Sequence, residues 1–231
     1  MRSRALFLDR DGTLVHPVHY PSQPEELRLY ANLGPALREL QEMGFLLVVI
    51  TNQSGLARGY FTESDLQCMH AFLRAELLNM GVRLSGIYHC PHHPAGIVPE
   101  LTMDCECRKP RPGLLLQAAT DLHIDLANSW FVGNILDDVE AGNLAGCRTV
   151  LVDLGTEAAP EQAVRQPAFV ARNTLHALHI VSAIETICSS VELSTHAAEM
   201  TQLPIELFYQ PVAWQKAIRQ STKEISGVSY G

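Results

Sequence analysis

Apolar positions along the chain fall into short runs and longer helical repeats. Ala5 to Leu8 is a short apolar run that ends at Asp9, and it reads as a buried strand entering a polar loop. Leu33, Ala36, Leu37, Leu40 and Met43 recur at helical spacing, and Gly44 ends the repeat. Phe45 to Ile50 is a second buried strand, followed by the polar loop Thr51-Asn52-Gln53-Ser54-Gly55. Thr62 to Asp65 has the composition of a helix start, and Leu66, Met69, Phe72, Leu73, Leu77 and Met80 carry that helix to Gly81. Gly86 to Tyr88 predicts a short strand. Pro112 opens a helix over Leu114 to Leu122, as proline in a first turn should. Trp130 to Val132 is a strand, Asp137 to Ala145 a helix closed by Gly146, and Arg148 to Asp153 a further strand. Phe169 and Val170 add a short edge strand, and Asn173 to Ile187 a last helix. Beyond it, Pro204 and Pro211 break the pattern, and Val212 to Ile225 is only modestly amphipathic.

Strand and helix alternate, which implies an α/β fold with a mostly parallel sheet and helices on both faces. The polar loops after Leu8, Ile50 and Val132 then share the carboxyl edge of the sheet, where such folds bind ligands. Residues 1–183 are expected to form the functional domain, with an extension of unassigned role over 184–231.

Composition narrows the classes. The chain has 231 residues, of which 47% are apolar and 18% charged, enough for one sizeable core. Its formal charge of -8 opposes a nucleic-acid partner, so an anionic substrate must be drawn in by a few local cations. No run approaches the roughly 20 apolar residues of a membrane span, and the first residues are too short for a signal core. A cytoplasmic monomer is the expectation.

Two acids placed two residues apart at the end of a buried strand, Asp9 and Asp11, can approach one ion or phosphate. One carboxylate can attack phosphorus, and the other can protonate the leaving oxygen and then deprotonate water. Magnesium bridging carboxylate and phosphate would offset the repulsion between anions. Thr51, after the second strand, can hold phosphate oxygens. Lys109, in Arg108-Lys109-Pro110-Arg111, is a compact cation suited to the phosphoryl group, and Arg108 can fork onto a second phosphate or a sugar hydroxyl.

Cys90-Pro91-His92 and, twelve residues on, Cys105-Glu106-Cys107 offer three thiolates and an imidazole, a full set for structural zinc. His93 competes with His92 for the nitrogen position.

The run Asp9-Arg10-Asp11-Gly12-Thr13 after an apolar strand resembles the first motif of the haloacid-dehalogenase superfamily. That resemblance implies a three-layer Rossmann-like sandwich with no large cap domain. It also implies Asp9 as nucleophile, Asp11 as acid/base, and Thr51 and Lys109 as the second and third motifs. Thr51-Asn52-Gln53-Ser54-Gly55-Leu56-Ala57-Arg58-Gly59 is similar to the heptose-bisphosphate phosphatase branch, with histidinol-phosphate phosphatases as the near alternative. By that likeness Asn52, Gln53, Ser54, Arg58 and Arg108, with His19 and Tyr20 from Pro17 to Pro21, should contact a phosphorylated sugar, and His92 is the zinc ligand. The resemblance covers residues 4 to 183.

The fourth motif departs from the pattern. Gly133-Asn134-Ile135-Leu136-Asp137-Asp138 keeps the later acid at Asp138 but has Asn134 where the superfamily carries an aspartate on magnesium. The set Asp9, Asp11, Asn134 and Asp138 is therefore one charge short. A working enzyme with weaker magnesium binding is the favoured reading. An inactivating substitution, or a phosphosugar-binding protein without turnover, are its rivals. A phosphotransferase would need a cap to exclude water, and Thr13 to Glu26 is too short to supply one.

Overall fold

The computed structural model describes residues 2–193. Six strands form one sheet: β1 Arg4–Leu8, β2 Phe45–Asn52, β3 Leu84–Cys90, β4 Trp130–Gly133, β5 Arg148–Val152 and β6 Phe169–Ala171. Their order is β3-β2-β1-β4-β5-β6, and every adjacent pair is parallel. Five α-helices connect and cover them: α1 Leu33–Glu42, α2 Glu63–Asn79, α3 Gly113–Asp121, α4 Leu136–Ala145 and α5 Thr174–Leu193. Among the described residues no helix is long and apolar enough to cross a membrane.

Strand alternation divides the apolar residues into two cores. From β1, Leu6 and Leu8 join Leu47, Val49, Trp130 and Val132 on the face that packs Leu37 of α1, Leu73 of α2 and Val181 of α5. Ala5 and Phe7 point the other way, with Val48, Ile50 and Phe131, against Leu115 and Ala118 of α3 and Ala141 of α4. The result is the expected three-layer sandwich, and each strand is apolar on both faces because both faces are covered.

The chain winds from β1 outward through β2 to β3, then returns to the other side of β1 with β4. Strand order reverses at β1, so the loops after β1, β2 and β4 open onto a common crevice.

Several elements run past the limits read from sequence. β3 extends to Cys90 because it pairs with β2 as far as Asn52. α4 begins at Leu136, one residue early, because the Asp138 side chain accepts from the backbone N–H groups of Asn134 and Ile135. α5 runs unbroken across position 183, and Glu185 on it is buried. There Glu185 accepts from Trp130 Nε1 at 2.8 Å and from Arg4 at 2.5 Å, so the packed unit continues beyond Ala183. The readings made for Pro204, Pro211 and Val212 to Ile225 lie outside the described residues.

Candidate active site

The loop after β1 is held from three sides. Asp9 N–H donates to Val132 O at 3.0 Å, which ties it to β4. Gly12 adopts φ +85° and donates its N–H to Val15 O at 2.8 Å. A side chain at position 12 would place its Cβ 2.6 to 2.8 Å from the Asn134 carboxamide, so only glycine lets this loop meet the one after β4. Thr13 Oγ1 donates to Asn134 Oδ1 at 3.2 Å, and Thr174, first residue of α5, donates to Thr13 O at 2.7 Å.

Lys109 enters between these loops from a segment far along the chain. Its Nζ lies 2.6 Å from Asp9 Oδ1, 2.6 Å from Asp138 Oδ1 and 3.0 Å from Ile50 O. Asp9, Lys109 and Asp138 are 6%, 2% and 1% exposed, so little water screens them. Burial opposes the lysine charge, but Asp138 and Asp9 outweigh it and raise its pKa. For Asp9 the order is reversed. Burial pushes its carboxyl up to about 7, Lys109 pulls against this, and Asp138 and Asp11 add repulsion. The site has one more negative charge than its single lysine neutralises, which favours a bound cation.

The residues expected to grip substrate divide into two sets. Asn52 receives Lys109 N–H at 3.1 Å and donates to Lys109 O at 3.1 Å, so its carboxamide fixes the lysine's backbone. Gln53 is likewise committed: Nε2 donates to Thr51 Oγ1 at 2.8 Å and to Asp11 Oδ2 at 3.0 Å, while Oε1 accepts from Arg10 at 3.0 Å. These two act on other site residues. His19, Tyr20 and Ser54 line, together with Asn52 and Gln53, a cavity of about 220 Å³ beside Asp11.

Asn134, 9% exposed, stands beside Gly12 with a carbonyl oxygen where a carboxylate was expected. Both oxygens of Asp138 are engaged, one by Lys109 and one by the start of α4. Asp9, Asp11 and Asn134 carry hard oxygen donors, the kind that suits magnesium.

Cys90, His92, Cys105 and Cys107 come together as four groups that could hold a metal ion, with their ligand atoms all within 4.8 Å of one another. Sulfur–sulfur separations of 3.2 to 3.5 Å are near the ~3.7 Å edge of a tetrahedron built on zinc–sulfur bonds. Burial raises the Cys90 thiol pKa, so a cation there would offset the cost of forming the thiolate. The structure brings in His92. His93 turns away, 3.0 Å from Arg58 Nη2, and Arg108 donates to His92 O at 3.3 Å. Both arginines expected to contact substrate thus rest on the metal loop.

Sequence reasoning missed Arg10 and Tyr60. Arg10 is completely buried and pairs with Asp11. The available signal was only its place between two acids at a strand end. Tyr60 packs its ring 4.6 Å from that of Tyr20, which itself lies 4.6 Å from His19. No periodicity connects these three.

Residues 106–177 match the HAD-hydrolase-like family. The chain is 46% identical over 158 residues to the D-glycero-beta-D-manno-heptose-1,7-bisphosphate 7-phosphatase of Escherichia coli K12, covering 68% of this chain and 83% of that protein. The enzyme of the same name from Haemophilus ducreyi is also 46% identical, over 67% of this chain and 86% of its own length. Among solved structures, a HAD-like phosphatase from Mesorhizobium loti aligns at a TM-score of 0.71 with 38% identity, over 80% and 88% of the two chains. A D,D-heptose 1,7-bisphosphate phosphatase of B. bronchiseptica, complexed with magnesium and phosphate, aligns at 0.64 with 29% identity, over 81% and 98%. This fold and site are those of a HAD-like phosphatase, a hydrolase of phosphomonoesters. The chain belongs to the D-glycero-D-manno-heptose 1,7-bisphosphate 7-phosphatase family of that superfamily.

Proposed function

We propose that this protein removes the 7-phosphate of D-glycero-D-manno-heptose 1,7-bisphosphate through an aspartyl-phosphate on Asp9. The observation that carries the reading is the buried Asp9–Lys109 pair at 2.6 Å, beside Thr51 and Asp11, in a chain 46% identical to enzymes of that name. Asp9 is aimed along the carboxyl edge of the sheet, with Lys109 fixing one of its oxygens and leaving the other for phosphorus. Asp11 gives a proton to the leaving sugar oxygen, then takes one from the water that attacks the acyl phosphate. Thr51 and Lys109 hold the phosphoryl oxygens as charge moves among them.

Magnesium would be held by Asp9, the Asp11 backbone and the Asn134 carbonyl oxygen, and would supply charge neutralisation at the phosphoryl group. Asp138 supports this set at one remove by holding Lys109, and joins it only by releasing the lysine. With Asn134 neutral, the affinity for the cation is lower than a carboxylate would give. Zinc on Cys90, His92, Cys105 and Cys107 has a structural role, since four protein ligands leave no position for water. It stiffens the loop that carries Arg108, and on whose His93 Arg58 rests, so that both cations face the sugar and its second phosphate, while His19 and Tyr20 face the hydroxyls.

The test is phosphate release with magnesium, followed by phosphorus NMR of the product. Loss of the 7-phosphate alone is expected. Faster turnover of histidinol phosphate would transfer the protein to the neighbouring branch, and absence of turnover on both would leave a phosphosugar-binding protein.

A further inference from the structure

Arg10 is 0% exposed, one of the largest fully buried side chains among the described residues, and it stands between Asp9 and Asp11 in sequence. Its Nε is 3.2 Å from Asp11 Oδ1 and 3.1 Å from Oδ2, and its Nη2 is 2.9 Å from Oδ2. Nη2 also donates to Gln53 Oε1 at 3.0 Å, and Gln53 Nε2 returns to Asp11 Oδ2 at 3.0 Å. The three side chains close a ring, and Gln53 extends it to Thr51 Oγ1 at 2.8 Å. Burying a guanidinium is costly, and Nη1 has no hydrogen-bond partner among the described residues. A hydrophobic side chain would fill this place at lower cost, so the charge and fork of Arg10 serve something other than packing.

The two oxygens of Asp11 are unequal in this ring. Oδ2 accepts from three donors, more than its two lone pairs accommodate well. Oδ1 shares only Nε, at the longest of these distances, and the Asp11 side chain remains 29% exposed at the wall of the 220 Å³ cavity. We propose that Arg10 and Gln53 are positioning residues that lock Oδ2, leaving Oδ1 as the oxygen that exchanges the proton. In the first half-reaction the bond from Asp9 to phosphorus forms, the ester P–O bond breaks, and the proton passes from Oδ1 to the sugar oxygen. In the second, water oxygen bonds to phosphorus, the Asp9–phosphorus bond breaks, and the water proton returns to Oδ1. Because Gln53 also holds Thr51, the proton-exchanging acid and the phosphate-binding hydroxyl keep a fixed separation.

This inference rests on Asp11 being the acid/base, and the experiment separates the two. Values of kcat/KM are measured for heptose bisphosphate, whose alkoxide leaving group needs a proton, and for p-nitrophenyl phosphate, whose leaving group does not. Arg10→Lys and Gln53→Met should each lower the sugar ester roughly ten- to a hundredfold more than the aryl ester. Asp11→Asn should discriminate in the same direction, and adding Arg10→Lys to it should cost nothing further. If Arg10→Lys fails to fold, the Gln53→Met arm and its double variant with Asp11→Asn decide. Equal losses on both esters in the Arg10 and Gln53 variants, with Asp11→Asn still discriminating, would overturn the positioning role. No discrimination by Asp11→Asn would overturn the acid/base reading and this one together.

Discussion

Lys109 and Asp9 meet at 2.6 Å in a site almost closed to water, although they stand a hundred residues apart in sequence. The contact is made by topology: β1 delivers the carboxylate, and the segment following the cysteine cluster delivers the cation. Lys109→Met would leave Asp9 and Asp138 buried without a counter-charge. The expected loss is about 3–5 kcal/mol of stability near neutral pH, from denaturant unfolding, because a buried charge has lost its partner. Turnover should fall with it. A variant of undiminished stability would mean that the pair is open to solvent.

Asn134→Asp supplies the missing charge without changing shape, and Thr13 can donate to either side chain. The magnesium concentration for half-maximal activity should fall roughly tenfold. Magnesium titration of phosphate release reads this directly. An unchanged midpoint would remove position 134 from the metal site.

Removal of the metal at Cys90, His92, Cys105 and Cys107 should act mainly on substrate binding. Arg58 and Arg108 rest on His93 and on the backbone of His92, so a loosened loop misplaces both cations. With magnesium restored after chelation, KM should rise by about tenfold or more while kcat changes less. Equal kcat and KM in a protein shown to be free of zinc would separate the loop from recognition.

His70 gives the protein an acid-sensitive core. Burial holds its imidazole down at about 3 from the usual 6.5, with Arg10 adding repulsion. The folded state therefore binds fewer protons than the unfolded chain between these values, so stability present above pH 6.5 is lost as pH falls toward 3. The loss is on the order of 4 kcal/mol over that window. Asp9 works in the opposite sense, since its raised pKa favours the folded protein at low pH and that benefit is lost as pH rises through about 7. His70→Phe isolates the first effect: its unfolding free energy should decline less steeply from pH 6.5 to 4 than that of the parent. An identical slope would assign acid sensitivity elsewhere.

The strands and most helices were legible because each carries its own signal: apolar runs for strands buried on both faces, helical spacing ended by Gly44, Gly81 and Gly146. The motif acids, Thr51 and Lys109 were legible for a related reason, since each follows a strand end or a turn of distinctive composition. Arg10, by contrast, looks like any surface arginine until β1 is placed at the centre of the sheet. Asn52 and Gln53 suggested substrate contact by the likeness of their loop to the heptose-bisphosphate phosphatase branch. Their hydrogen bonds to Lys109, Asp11 and Thr51 come from parts of the chain that only the fold unites. His92 and His93 are adjacent and chemically equal, and the turn after β3 decides between them.

The most direct test of the whole account is to trap the covalent intermediate. Borohydride added during turnover of heptose bisphosphate with magnesium should reduce the acyl phosphate and convert residue 9 to homoserine, identified by peptide mass spectrometry. The Asp9→Asn protein should yield no such product and no turnover. Homoserine at another acid, or turnover that survives in Asp9→Asn, would contradict the assignment of Asp9 as the nucleophile.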